Sequence, residues 1–155
     1  MPQPRQQPLP LWIGGQGEKA LLRLVAEAAD GWNMVAGSSL TQVRHKLEVL
    51  ERHCETVGRN LYTIDKSLLI YTYVFDTEQE FVQALTDQAR LLGAESQAGL
   101  LQARTLGLAG SAAQVTETLG RYLACGFDYL IALFPYMRER EMLQRYAEDV
   151  WCHLH

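Results

Sequence analysis

The sequence has 155 residues, enough for one domain with a buried core. Hydrophobic residues make up 48% of it and charged residues 21%, a balance typical of soluble globular proteins. The formal net charge is −4 and the 14 Lys and Arg residues are scattered, which argues against a nucleic-acid-binding surface.

The beginning of the sequence has no features of a targeting segment. It reads MPQPRQQPLP, polar and proline-rich where a signal peptide needs an apolar stretch, and no apolar run in the chain is long enough to span a bilayer. We therefore expect a cytoplasmic protein. Residues 1–7 are predicted to form an extended Pro/Gln-rich lead-in, and residues 8–155 the folded domain.

A glycine-rich turn follows the first predicted strand, residues 9–13. The turn is Gly14-Gly15-Gln16-Gly17, and a helix pattern begins at once after it. Glycines at such a turn expose backbone N–H groups at the positive end of the helix dipole, so the expected guest is an anion, most often a phosphate. A tight strand-to-helix connection without a ligand accounts for the same spacing equally well.

The next elements continue the alternation of strand and helix. A short strand is predicted over residues 31–35, and either Ser39 or Thr41 is the N-cap of an amphipathic helix that ends at Gly58. His45 and His53 lie in this helix among charged residues, so we expect them on its solvated side.

Residues 67–75, SLLIYTYVF, form the longest predicted strand. Its nearly continuous apolarity is typical of a parallel strand that is covered on both faces. A weakly patterned tract over residues 93–104 and a brief strand over residues 106–110 come later. Between the long strand and that tract, a helix is predicted with these residues inward: Phe81, Val82, Leu85, Ala89 and Leu92.

The last part of the chain repeats the pattern. Ser111 is the predicted N-cap of a helix, with Gln114 completing a capping box. Residues 127–134 are predicted to be another buried strand, and strand and helix alternate throughout, so the fold class is α/β with mainly parallel βα repeats. The final helix is predicted to bury one stripe: Met142, Leu143, Tyr146, Ala147 and Val150.

The cysteines do not suggest a disulfide framework or a metal site. Cys54, Cys125 and Cys152 are too few and too widely spaced for either. Cys152 lies close to His153 and His155, but no second pair of ligands is placed to complete a tetrahedral site. We therefore expect no bound metal.

Several stretches, read together, resemble the luciferase-like monooxygenase family, the flavin- or deazaflavin-dependent TIM barrels related to bacterial luciferase. They are PLWIGGQGEK, AADGWN, CETVGRN, LAGSAAQVTETLGRYLACGFDYLIALF and the helix that ends in AEDVW, in matching order and spacing. The resemblance implies a (βα)8 barrel of about twice this length, of which the chain is similar to the C-terminal half. The N-terminal half, which supplies the isoalloxazine platform and most catalytic side chains in such enzymes, is expected to be absent.

The resemblance also implies a role for the glycine turn. Its backbone, Gly14 to Gly17, is expected to contact the phosphate or ring edge of coenzyme F-420 or FMN, and its GGQGEK form is closest to the F-420 branch. The implied activity is hydride transfer or oxygen activation on a small organic substrate. Glu18 and Lys19 are predicted in the first helical turn, where Lys19 is either a phosphate partner or solvated.

Three further residues are expected around the substrate pocket by resemblance. Trp32 and Asn33 follow on the neighbouring strand, and Phe134 ends the last one. Packing inside the barrel is an equally good interpretation for Trp32.

The alternative is a half-barrel without catalysis of its own, either truncated or one chain of a split barrel. Four parallel strands separated from a closed barrel expose two edges and an inner apolar face, predicted to include Ile13, Ile70, Thr72 and Ile131. We therefore expect a homo-oligomer or a complex with a complementary half-barrel, and neither a nucleic-acid nor a membrane partner.

Overall fold

The first half of the fold consists of two strand–helix units. The computed structural model of the protein describes residues 5–35 and 37–154, so the first four residues of the predicted lead-in lie outside it. Residues 5–8 form exposed bends. The units are β1 (Trp12–Gly14) with α1 (Leu21–Ala28), and β2 (Gly31–Met34) with α2 (Leu40–Val57). β1 and β2 are parallel, with Gly14 aligned to Asn33.

The ends of α2 are set by local hydrogen bonds. The Ser39 side chain accepts from the backbone N–H of Gln42, and the Gln42 side chain accepts from the backbone N–H of Ser39, which makes a complete capping box. This decides between the two predicted N-caps in favour of Ser39. The helix ends at Gly58, whose φ of 70° is accessible to glycine without strain.

Two longer strands complete the main sheet. β3 (Asp65–Tyr71) is parallel to β2 and to β6 (Tyr129–Leu133), so the sheet order is β1-β2-β3-β6. At the start of this pair, Lys66 N donates to Asp128 Oδ2 at 2.8 Å and Asp128 N donates to Lys66 O at 2.8 Å. Lys66 Nζ lies 3.1 Å from the same carboxylate and donates to Ile64 O. These bonds fix the register of β3 against β6.

The long predicted strand is divided at Thr72. The backbone N–H of Thr72 donates to Leu133 O in the main sheet, whereas that of Tyr73 donates to Leu108 O. β4 (Tyr73–Val74) thus leaves the main sheet and pairs in parallel with β5 (Ala109–Gly110) in a separate two-stranded sheet. Between these strands lie α3 (Glu78–Leu92), a 3-10 turn (Ala94–Gln97) and α4 (Ala98–Thr105).

The inward face of α3 differs from the prediction. Phe81, Ala84 and Gln88 are buried, whereas Val82 and Leu92 are 53% and 55% exposed. The Phe81 ring packs 5.1 Å from Phe75, and Gln88 Nε2 donates to Ser96 O. The helix is therefore rotated toward the residues that follow β4 and toward the 3-10 turn.

The last two helices cover the end of the sheet. α5 (Ala112–Leu123) is capped by Ser111 as predicted, which accepts from Gln114 N, and it buries Val115, Leu119 and Tyr122. α6 (Glu139–Arg145) continues into a π-helical turn (Tyr146–Val150) and a 3-10 turn (Trp151–His153). Met142, Tyr146 and Val150 are buried at a spacing of four residues, which is a narrower stripe than predicted. Leu143 and Ala147, predicted inward, are exposed beside it.

Helices cover one face of the main sheet, and on the other face Gly99 of α4 lies against the Tyr71 ring at the end of β3. Trp32, Met34, Leu68 and Ile70 on the helix-covered face are at most 2% exposed, and Ile13 packs against the same core. The prediction that Ile13, Ile70 and Thr72 lie on the inner apolar face is therefore wrong, because strand alternation and the division at Thr72 bury them. Ile131 is exposed on the opposite face, so β6 is not buried on both sides.

None of the helices in residues 5–35 and 37–154 is long and apolar enough to cross a membrane.

Candidate functional site

The glycine turn has a backbone that requires glycine. Gly15 has φ of +129°, and a Cβ placed on it would lie 2.7 Å from Leu21 Cδ1. Its N–H donates to Asn33 O at 3.0 Å, which joins the turn to the end of β2. A larger residue at Gly15 would therefore strain the backbone of the turn and push the Leu21 side chain aside.

Side chains from the neighbouring loop hold the turn in place. The indole N–H of Trp32 donates to Gly15 O at 2.8 Å. Gln16 Nε2 donates to Val35 O at 2.8 Å, and Ser38 Oγ donates to Gln16 Oε1 at 3.1 Å. Behind Ser38, the Tyr122 hydroxyl donates to Ser38 O at 2.9 Å and ties the loop to α5. The turn is preorganised through these contacts.

Several backbone donors of the turn have no acceptor in the described part of the chain. None of the hydrogen bonds there uses the N–H of Gln16, Gly17 or Glu18, and Gly17 O accepts from Leu22 N at 2.9 Å. α1 begins at Leu21, and its N-cap Ala20 offers no side-chain oxygen. Glu18 therefore precedes the helix, which corrects its predicted place in the first helical turn. Free N–H groups in a glycine-rich turn just before a helix form a suitable environment for an anion.

Helix α2 neutralises the acidic residue beside the turn. Glu18 Oε1 lies 2.6 Å from Lys46 Nζ and 3.2 Å from His45 Nε2. The hydrogen bond from Lys46, with help from His45 and against some desolvation, lowers the pKa of Glu18 below its ordinary value of 4.5. His53 Nε2 is 2.8 Å from Glu18 O. Both histidines thus contact the turn, a role that the prediction of a solvated helix face missed.

The uncovered side of the sheet forms a shallow apolar groove, which we call the open face. Trp12, Asn33, Ser67, Tyr129 and Ile131 line a space of about 420 Å³ there. Asn33 Nδ2 donates to Ser67 Oγ at 2.8 Å, and Ser67 Oγ donates to Trp32 O at 3.4 Å. The Trp12 and Tyr129 rings are 6.0 Å apart although they stand on opposite edge strands, so the sheet is strongly curved around this groove.

The structure brings only some of the predicted pocket residues together. Asn33 lies on the open face and its carbonyl also binds the glycine turn. Trp32 is fully buried on the helix side and packs near Phe127, so it supports the turn and does not line the groove. Phe134 packs edge-to-face on Tyr146, with centroids 5.6 Å apart, on the helix side of β6.

Sequence reasoning missed three residues of the groove. Trp12, Ser67 and Tyr129 line it. Side chains alternate between the two faces of the sheet along β6, which places Tyr129 and Ile131 on the same face. Because the strand is apolar throughout, it was predicted to be buried on both faces and this alternation was not used.

No cluster of three or more His, Cys, Asp or Glu side chains suited to a metal occurs within the described ranges. Cys152 Sγ lies 2.9 Å from His153 Nδ1, and the predicted third residue of that group, His155, lies outside the described residues.

Comparisons with known proteins identify relatives of this fold. The family model described as luciferase-like monooxygenase matches residues 1–129. A search of the curated proteins finds no match. A solved F-420-dependent secondary alcohol dehydrogenase, in complex with an F-420–acetone adduct, is 17% identical, with a TM-score of 0.73 over 99% of this chain and 51% of that chain.

Two solved oxygenases also match most of this chain in fold, over about half of their own length. A monooxygenase from Streptomyces bottropensis is 19% identical, with a TM-score of 0.72 over 100% of this chain and 51% of that chain. The oxygenating constituent of 3,6-diketocamphane monooxygenase from Pseudomonas putida, in complex with FMN, is 13% identical, with a TM-score of 0.61 over 92% and 47%. The chain thus spans about half the length of these structures, and the predicted α/β half-barrel fold is confirmed. The chain belongs to the luciferase-like monooxygenase family.

Proposed function

We propose that this chain is part of an oxidoreductase or monooxygenase that uses coenzyme F-420 or FMN for hydride transfer or oxygen activation on a small organic substrate. The proposal assigns to the Gly14–Gly17 turn the binding of the cofactor phosphate. Its main support is that the N–H groups of Gln16, Gly17 and Glu18 have no acceptor within the described residues, at a turn that is held by Trp32.

The turn fits a phosphate in shape and in charge. Gly15 lets the turn adopt a φ of +129° and pack against Leu21, a conformation that a residue with a Cβ would strain. Lys19 is exposed beside the free N–H groups. Glu18 would repel an anion if it were unpaired, but its carboxylate is bound to Lys46 and His45.

The bound cofactor supplies the redox chemistry, and the chain supplies position and exclusion of water. Trp12, Tyr129 and Ile131 make the open face apolar, while Asn33 offers an amide close to the turn. A small organic substrate is thus expected between the cofactor and this face. Between the two cofactors we favour F-420, because the GGQGEK form of the turn resembles that branch of the family.

A second candidate function is that of a half-barrel without catalysis of its own. The observation that favours it is that the chain spans 51% of the length of similar solved enzymes. The half that it does not span contains, by the family resemblance, most of the catalytic side chains. Under this alternative the chain binds neither cofactor.

Titration of the purified chain with F-420 and with FMN, followed by their fluorescence, tests the proposal. We expect Gly15→Ala to weaken binding by at least about tenfold, because the added methyl displaces the turn. Gly126→Ala is the matched control, since Gly126 also has positive φ, +97°, but open space around its Cβ position. Equal loss in both variants would contradict the assignment of the turn.

A second measurement does not depend on a variant that folds. Addition of inorganic phosphate to the wild-type chain should shift the backbone amide resonances of Gln16, Gly17 and Glu18 more than those of other residues. If phosphate leaves these resonances unchanged and neither cofactor binds, the half-barrel alternative replaces the proposal.

A further inference from the structure

The open face is unusually apolar for a surface in contact with water. Trp12, Tyr129 and Ile131 are 42%, 52% and 42% exposed. On the four strands of the main sheet, alternation places one charged residue on this face, Asp65, at its N-terminal end. A continuous apolar groove of this kind marks an interaction surface.

The total surface of the chain supports the same conclusion. A compact monomer of this length exposes about 7,900 Å², whereas this chain exposes 9375 Å². The excess is about 1,500 Å², roughly twice the 800 Å² that each partner buries in a standard protein interface. The exposed segment before β1 and the exposed residues of the open face both contribute to this excess.

Both edges of the main sheet are unpaired within the described residues. β1 pairs only with β2, and β6 only with β3. In a parallel ladder alternate residues bond to the two sides. Because Gly15 N donates to Asn33 O and Leu133 O accepts from Thr72 N, the backbone groups of Trp12 and Gly14 on β1 face one free edge. Those of Leu130 and Ala132 on β6 face the other. Such edges pair readily with further strands.

A second copy of the chain fits both edges at once. All four strands are parallel. A twofold rotation about an axis that runs parallel to the strands therefore places β6 of each copy beside β1 of the other, again in parallel. The result has eight strands and no free edge. Solved relatives of this fold are about twice as long as this chain, in keeping with four strands as half of a closed barrel.

We propose that two copies of this chain associate through their open faces and free edges to close an eight-stranded parallel barrel. The apolar side chains of the two faces fill its interior. Ser67 is already 2% exposed, and the bond from Asn33 Nδ2 to Ser67 Oγ lowers the cost of burying Asn33. The two glycine turns then lie at the same mouth of the barrel, since both follow the C-terminal ends of their strands.

Sedimentation of the wild-type chain and of two lysine variants tests the proposal. We expect the wild type to have the mass of two chains at micromolar concentration. Ile131→Lys should weaken association at least about 100-fold, because each copy buries a charge without a partner. Leu143→Lys is the matched control: Leu143 is 63% exposed on α6, away from the open face, and its replacement should leave the dimer unchanged.

Three results would overturn the proposal: a monomeric wild type at 100 µM, open-ended oligomers, or equal effects of the two substitutions. If Ile131→Lys does not fold, hydrogen exchange of the wild type decides the question. The backbone amides of Leu130 and Ala132, on the free side of β6, should become protected as protein concentration rises, and fast exchange at every concentration would exclude pairing at this edge. The cofactor titration is independent of these results, because it measures the glycine turn.

Discussion

The pair formed by Lys66 and Asp128 gives the clearest test of how the sheet is held together. The Lys66 side chain is 7% exposed and that of Asp128 47%. Asp128→Ala removes the carboxylate that lies against a buried ammonium and that accepts from Lys66 N. Loss of one partner from a fully buried pair costs about 3–5 kcal/mol. Because water reaches Asp128, we expect about 2 kcal/mol from the charge and about 1 kcal/mol from the hydrogen bond.

Urea unfolding at fixed protein concentration measures this cost. With a slope of about 2 kcal/mol per molar urea, a loss of about 3 kcal/mol lowers the midpoint by about 1.5 M. Lys66→Met keeps the apolar stem and leaves no unpaired charge in the core, so we expect it to cost below about 1 kcal/mol. In the Lys66→Met background, Asp128→Ala should cost only the hydrogen bond. If Asp128→Ala costs the same in both backgrounds, the buried ammonium is not the source of the effect.

Two further predictions concern single titratable residues. Lys46 and His45 hold the pKa of Glu18 below 4.5, so this pairing stabilises the fold above that pH and is lost as pH falls through the folded-state value. The urea midpoint of the wild type should thus exceed that of Glu18→Gln by a constant amount between about pH 5 and 6. This difference should shrink on further acidification, and a difference that does not change with pH would exclude the pairing. Tyr146 is 8% exposed, burial raises the pKa of its hydroxyl, and that hydroxyl has no partner among the described residues. Tyr146→Phe should therefore raise stability by about 1 kcal/mol in thermal unfolding, and a clear loss would indicate a partner for the hydroxyl.

The strand and helix order was predictable because its signals are local. Gly58 ends a helix through its own positive φ, and Ser39 and Ser111 cap helices through bonds three residues away. The Gly14–Gly17 turn was predictable for the same reason. These features depend on few residues, so the sequence contains the information needed to recognise them.

The errors come from contacts that are distant in sequence. The division at Thr72 depends on which carbonyls accept from neighbouring amides, Leu133 O or Leu108 O, and no local pattern encodes that choice. Trp32 was expected near the pocket by family resemblance, with packing as the alternative, and its indole N–H is satisfied beneath the turn by Gly15 O. Exposure of Ile131 depends on what covers the sheet, which periodicity does not report.

The short sheet formed by β4 and β5 has a consequence for how this fold tolerates change. The segment between them leaves and returns at adjacent points: Tyr73 N and Thr72 Oγ1 both donate to Leu108 O, and Phe75 N donates to Gly110 O. Because these bonds join the ends of the segment, its length affects the entropy of loop closure only weakly. Closure of the chain therefore sets little limit on the length of this segment. The limit comes from packing, because Leu100 and Ala103 of α4 are buried in the core and Gln102 Nε2 donates to Gly37 O. Changes of length are thus best tolerated away from α4, near the exposed end of α3.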